Sequence, residues 1–213
     1  MTRPRPSTSL RQPPEEAAGL AGFPSRVLSP ETPLYRVVRK GFGPWWFGSS
    51  LEGRFDLPEP EGTCYVAGDP LGALLELIGP ELERGAVSSE LLRERRLREI
   101  HIPDEAGLSD LTSRRAAGFG VTAEAGSVVP YDLPQAWAAR LRAAGSEGLI
   151  YWLRHDPSRT EGYALFGPHG ERTRWKKGRE RPISRELLAR LASECWIEVL
   201  PVPRSGQLRI LGE

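Results

Sequence analysis

The sequence predicts a single α+β domain. Short apolar runs of strand length alternate with capped amphipathic helices, but without the regular strand–helix–strand rhythm of a doubly wound sheet. The chain of 213 residues is 39% hydrophobic, enough for one sizeable core. Turn-forming residues gather in a few loops, and no segment repeats.

Residues 1–30, rich in Pro, Ser, Thr and charge, read as a flexible N-terminal segment, loosely draped, so the folded domain is expected over 31–213. Leu34 to Val38 suits a first strand. "GFGPWWFGSSLEGRFDLPEPEG" reads as a long loop of the kind that often carries function. "TCYVA" (63–67) is a short strand running into a helix. Asp69 is placed to cap that helix and Pro70 to occupy its first position. "SSELLRERRLREIHIP" reads as a helix from Ser88 or Ser89 followed by a strand. "GLSDLTSRRAAGFG" reads as holding a short helix, and "LPQAWAARLRAAG" as an amphipathic helix stopped at Gly145. "GLIYWL" and "GYALFG" form a strand pair. A helix capped by Ser184 then leads into the strand "CWIEVLPV".

Several function classes lose support. Lys and Arg total 29 against 28 Asp and Glu, a net charge of +1, so whole-chain charge points to no polyanion, and direct nucleic-acid binding is not expected. Cys64 and Cys195 form no disulfide framework or metal pattern, and His101, His155 and His169 are scattered. No apolar run spans a membrane and no signal peptide is visible, so a cytoplasmic, metal-free protein is expected. The phosphate-binding glycine loops and the G-x-S-x-G, H-E-x-x-H and C-x-x-C motifs are absent. Two further stretches stay open. "GPWWFGSS" either walls a cleft or packs its loop, and the basic run 171–185 is either a solvated loop or a partner contact.

The informative residues surround the loop–strand–helix unit. Glu76 interrupts a helix that is otherwise apolar almost all round, and an unpaired carboxylate is costly to bury. Arg36 sits in the strand "LYRVV", Arg54 in "EGRFD" and Tyr65 in "TCYVA". Taken singly, each has an ordinary reading as a surface charge or a core tyrosine.

In order and spacing, "LYRVV … GRFDLPEPEGTCYVAGDPLGALLE" resembles the RES-domain family, named for Arg, Glu and Ser. Arg36, Gly53-Arg54-Phe55, Tyr65 and Ala73-Leu74-Leu75-Glu76 match its pattern in sequence order, and the likeness runs on through 131–167 to cover roughly 33–170. The resemblance implies a curved mixed sheet flanked by helices, similar to ADP-ribosyltransferases. It also implies a bacterial toxin that cleaves the nicotinamide–ribose bond of NAD+ by hydrolysis or phosphorolysis. NAD+ is then a substrate, inorganic phosphate a second one, and an Xre-type helix-turn-helix antitoxin the partner that covers the site. Glu76 would stabilise the ribosyl cation, Arg54 and Arg36 would hold pyrophosphate or phosphate, and Tyr65 would stack on nicotinamide. The sequence departs from the family where a serine follows the G-[IL]-x-Y strand, since Leu153 stands there. Ser158 and Arg154 are the nearest substitutes. The alternatives are an ADP-ribosyltransferase or an NAD-binding module impaired by the missing serine.

Overall fold

The computed structural model describes residues 8–84 and 86–201. In chain order the strands and helices are β1 (Ser25–Leu28), β2 (Leu34–Arg39), β3 (Trp46–Phe47), β4 (Glu61–Ala67), α1 (Pro70–Ile78), β5 (Ala86–Ser88), α2 (Ser89–Arg93), β6 (Arg95–Ile100), β7 (Ala106–Asp110), α3 (Asp132–Ala143), β8 (Gly148–Trp152), β9 (Glu161–Pro168), β10 (Gly170–Glu171), β11 (Arg179–Pro182), α4 (Arg185–Cys195) and β12 (Glu198–Leu200). Among the described residues, eight strands form one sheet in the order β1-β7-β8-β9-β4-β2-β6-β11. Only β7 and β8 run parallel; every other neighbouring pair is antiparallel. This is the mixed α+β architecture expected.

The sheet is covered on both faces, which is why its central strands read as continuous apolar runs. Phe55, Trp137, Leu141, Leu149, Tyr151 and Phe166 build one core beneath α3. Leu34, Trp45, Phe47, Cys64, Val66, Ile100 and Ile150 build a second. A third joins α1 to α4 through Leu71, Leu74, Ile78, Leu187 and Leu191. Helix α1 starts where its residues dictate. The Asp69 carboxylate accepts the N–H groups of Leu71 at 2.7 Å and Gly72 at 3.0 Å, and Pro70 occupies the first position. Ser184 caps α4 in the same way, accepting from Leu187 N.

The N-terminal segment is seated rather than draped, so the folded body begins well before residue 31. Leu10 and Leu20 are buried, Arg11 donates to Gly120 O, and the Trp137 indole donates to Arg11 O. Glu124 accepts from the Thr8 hydroxyl and the Ser9 N–H. β1 pairs with β7 as an edge of the sheet. Two well-spaced leucines and a short strand anchor this stretch despite its polar composition. Residues 1–7 and 202–213 lie outside the described residues. The helix expected after Ser88 is a single short turn of helix, because from Arg95 the chain joins the sheet as β6. The basic run is no plain loop either. Its residues 179–182 form the edge strand β11, and Glu180 ion-pairs with Arg98 across the ladder.

Candidate functional site

Strands β2 and β4 are neighbours, yet they share a single register pair, Tyr35 with Ala67. Beyond it the strands diverge, and a cleft of about 330 Å³ opens at the split. Tyr35 and Val37 of β2, Tyr65 and Ala67 of β4, Ala73 and Glu76 of α1, and Tyr151 and Leu153 at the end of β8 line it. The loop 52–54 and Tyr131, Arg154 and His155 complete the wall.

Arg54 reaches this cleft from a turn that is itself tightly held. The buried Asp56 carboxylate accepts the Gly53 N–H at 2.9 Å and the Tyr65 hydroxyl at 2.8 Å. The Tyr65 oxygen in turn accepts the Phe55 N–H at 2.8 Å. Gly53 has no side chain because a Cβ there would meet the Asp56 carboxylate at 2.3 Å. The Arg54 guanidinium donates to Val128 O and lies 4.6 Å from the centre of the Tyr131 ring. Among the described residues no carboxylate is within ion-pair distance of it. Burial pulls Arg54 below the ordinary arginine value; Arg154 acts in the same direction, while Tyr131 and Glu76 oppose it. A buried, unmatched cation at a cleft wall is a receptor for an anion.

Glu76 projects from the cleft-facing side of α1, and its Oε1 accepts the His155 N–H at 2.9 Å. The carboxylate therefore pins the start of the loop that follows β8 and still presents an oxygen to the cleft. Arg154 stands at the rim, its guanidinium 3.4 Å from the Tyr131 hydroxyl. Tyr151 sits on the floor with its ring tilted against Phe55 at 4.8 Å. Burial raises its phenol above the usual tyrosine range, with Glu76 acting in the same direction and Arg54 against it.

Five of the six candidate residues thus line the cleft: Arg36, Arg54, Tyr65, Glu76 and Arg154. Arg36 lines it from β2, but its guanidinium is turned away. Side chains alternate along a strand, so with Tyr35 and Val37 on the cleft face, Arg36 points to the other. There its guanidinium donates to Pro44 O and to Cys64 Sγ, bridging the parting strands from behind. Ser158 is elsewhere. It lines a separate hollow between α1 and α4, with its N–H bonded to Asp156 Oδ1. Leu153 fills the cleft floor and belongs to the core, so no hydroxyl replaces it at that position. Tyr65 contributes its ring, but its hydroxyl is committed to the Arg54 turn. Trp45 and Phe47 pack in the second core against Trp175, and Trp46 is exposed beside His169, so the tryptophan loop packs rather than walls the cleft. Sequence reasoning passed over Tyr131 and Tyr151. Tyr151 is the tyrosine of the G-[IL]-x-Y strand, and its parity with Leu153 on that strand is the signal that could have found it.

The RES domain model matches residues 33–185 of the chain. The chain belongs to the RES-domain family. Its fold is similar to that of a chain in the crystal structure of the M. tuberculosis MbcT–MbcA toxin–antitoxin complex, with a TM-score of 0.58 at 15% identity. The alignment covers 78% of this chain and 87% of that one. Among curated proteins no sequence matches. The matched range of the RES domain takes in every residue of the cleft named above.

Proposed function

We propose that this RES-domain protein binds NAD+ in the cleft between β2 and β4 and cleaves its nicotinamide–ribose bond, as the toxin of a toxin–antitoxin pair. The observation that carries the reading is the pairing of Arg54 and Glu76. A buried cation without a carboxylate partner and a helix-borne carboxylate face one cleft among tyrosine rings. The pyrophosphate of a dinucleotide satisfies Arg54, with Arg154 assisting from the rim. The rings of Tyr65 and Tyr131 suit flat heterocycles.

The reaction needs little from the protein beyond charge and position. As the bond from ribose C1 to the nicotinamide nitrogen breaks, both electrons leave with nicotinamide, which departs neutral because it was a pyridinium. Positive charge develops on the ribose, and the Glu76 carboxylate stabilises it. Water then adds to C1 and loses a proton, giving ADP-ribose. Inorganic phosphate adding instead gives a phosphorylated ADP-ribose. The toxin role is supported by family membership and by the likeness to the MbcT–MbcA complex, and it makes an Xre-type helix-turn-helix antitoxin, seated over the cleft, the expected partner.

The test is incubation with NAD+, with and without phosphate, for the wild-type chain and Glu76→Gln. The variant keeps size and hydrogen-bonding capacity but not charge. It should bind NAD+ almost normally and lose turnover by orders of magnitude, since the charge matters most as the bond breaks. Equal turnover in both proteins would end this mechanism. Label transferred to a macromolecule would instead make the chain an ADP-ribosyltransferase.

A further inference from the structure

The cleft floor holds a polar group that the reading above leaves unused. Tyr151 is only 7% exposed, yet among the described residues its hydroxyl makes no hydrogen bond. It shares the cleft with Glu76 and Arg54, the charged groups that act on it. A hydroxyl that opens on a cleft without a protein partner can donate to and accept from a ligand. The surrounding chain is shaped to keep it there. Gly162 lies directly opposite Tyr151 in the β8–β9 ladder. A Cβ at Gly162 would come within 2.7 Å of Tyr151 Cζ and 3.0 Å of its Oη. The same Cβ would press on Leu153 at 2.4 Å. A glycine is thus held where the phenol end lies flat against the neighbouring strand. On its other side the ring rests on Phe55.

We infer that Tyr151 is a substrate-contacting residue whose hydroxyl hydrogen-bonds a ribose hydroxyl of the bound dinucleotide, the ribose next to the scissile bond. The inference rests on the NAD+ reading given above. The hydroxyl shares the cleft, and an electrostatic interaction, with the carboxylate assigned to the reacting ribose, on a floor that is otherwise apolar through Leu153 and Ala73. A neutral oxygen that both donates and accepts matches a sugar hydroxyl, whereas the phosphates are matched by Arg54. Because burial raises its pKa, the phenol keeps its proton and remains a donor throughout the neutral range. It also places a hydroxyl on the same face of β8 as Leu153, one alternation earlier, where the strand itself supplies none at 153.

The experiment is Tyr151→Phe, which keeps the ring against Phe55 and removes only the oxygen. Calorimetry with ADP-ribose and with ADP, which lacks the second ribose, separates the two ends of the ligand. Affinity for ADP-ribose should fall about 3- to 10-fold, the worth of one neutral hydrogen bond. Affinity for ADP should stay within about twofold. The melting temperature should hold or rise, since the lost hydroxyl had no protein partner. Unchanged ADP-ribose affinity overturns the assignment, and so does an equal loss for ADP. A marked drop in melting temperature also overturns it, because that reports a structural bond. Wild-type protein that binds neither ligand removes the NAD+ reading itself, and is recognised before any variant is made.

Discussion

Asp56 is the residue whose loss should separate the scaffold of the cleft from its chemistry. It is 4% exposed and does not itself line the cleft, but it accepts the Gly53 N–H and the Tyr65 hydroxyl of the cleft wall, with Ser50 Oγ more distant at 3.4 Å. Asp56→Ala leaves two half-buried donors without their acceptor. Each orphaned donor costs about 1–2 kcal/mol, so the expected loss is about 2–4 kcal/mol. For a chain of this size each kcal/mol lowers the melting temperature by about 2–4 °C, giving a drop of about 5–15 °C in a thermal unfolding scan. Asp56→Asn retains one acceptor oxygen and should lose about half as much. Tyr65→Phe removes the same bond from its other end. The double variant Asp56→Ala with Tyr65→Phe should therefore be less damaging than the two singles added together, by about 0.5–3 kcal/mol. The functional consequence is a looser Arg54 turn and weaker NAD+ binding in every one of these variants, measured by calorimetry on the folded fraction. Asp56→Ala with a melting temperature and NAD+ affinity equal to wild type would refute the clamp.

Two further outcomes follow from the same geometry. Leu153→Ser should raise NAD+ turnover per folded molecule by restoring a hydroxyl at the cleft floor, while lowering stability by about 2–4 kcal/mol through loss of a buried leucine; stability lost with no gain in turnover would show that a hydroxyl at 153 supplies nothing to the site. The Glu124 carboxyl is held below the usual glutamate range, first by the Thr8 hydroxyl and then by the Ser9 N–H. A depressed native pKa means that this docking is fully present above the ordinary glutamate pKa and is lost as pH falls through the depressed one. Hydrogen exchange at Ser9 and Leu10 should therefore accelerate, beyond the intrinsic pH effect, as pH falls through the depressed Glu124 value, and Glu124→Gln should show the faster behaviour already at neutral pH.

Much of the site was legible because its parts are local. Asp69-Pro70 announces α1, the single charge on an apolar helix marks Glu76, and the G-R-F-D turn places Arg54 just ahead of β4. What escaped was parity and long-range pairing. In "LYRVV" both faces of the strand are covered, so hydrophobicity does not reveal that Tyr35 and Val37, rather than the Arg36 guanidinium, look into the cleft. Tyr151 looks like any core tyrosine in "GLIYWL", because its distinction is an absent partner rather than a residue type. The edge strands β1 and β11 are short and largely exposed, and only pairing with β7 and β6 makes them strands. Leu10 and Leu20 lie in a stretch whose average composition hides them.

The strand order also fixes when the cleft can exist. β4 carries Tyr65 and leads into the helix of Glu76, β8 carries Tyr151, and the strand between them in the sheet is β9, Glu161–Pro168, made after both. A chain emerging from the ribosome therefore holds Arg54, Glu76 and Tyr151 before β9 joins β4 to β8. Interrupted synthesis short of residue 161 yields a fragment with every reactive group and no assembled cleft. Non-local pairing of this kind slows folding. If the chain is the toxin proposed above, the delay leaves an interval during translation in which the nascent polypeptide has no assembled cleft.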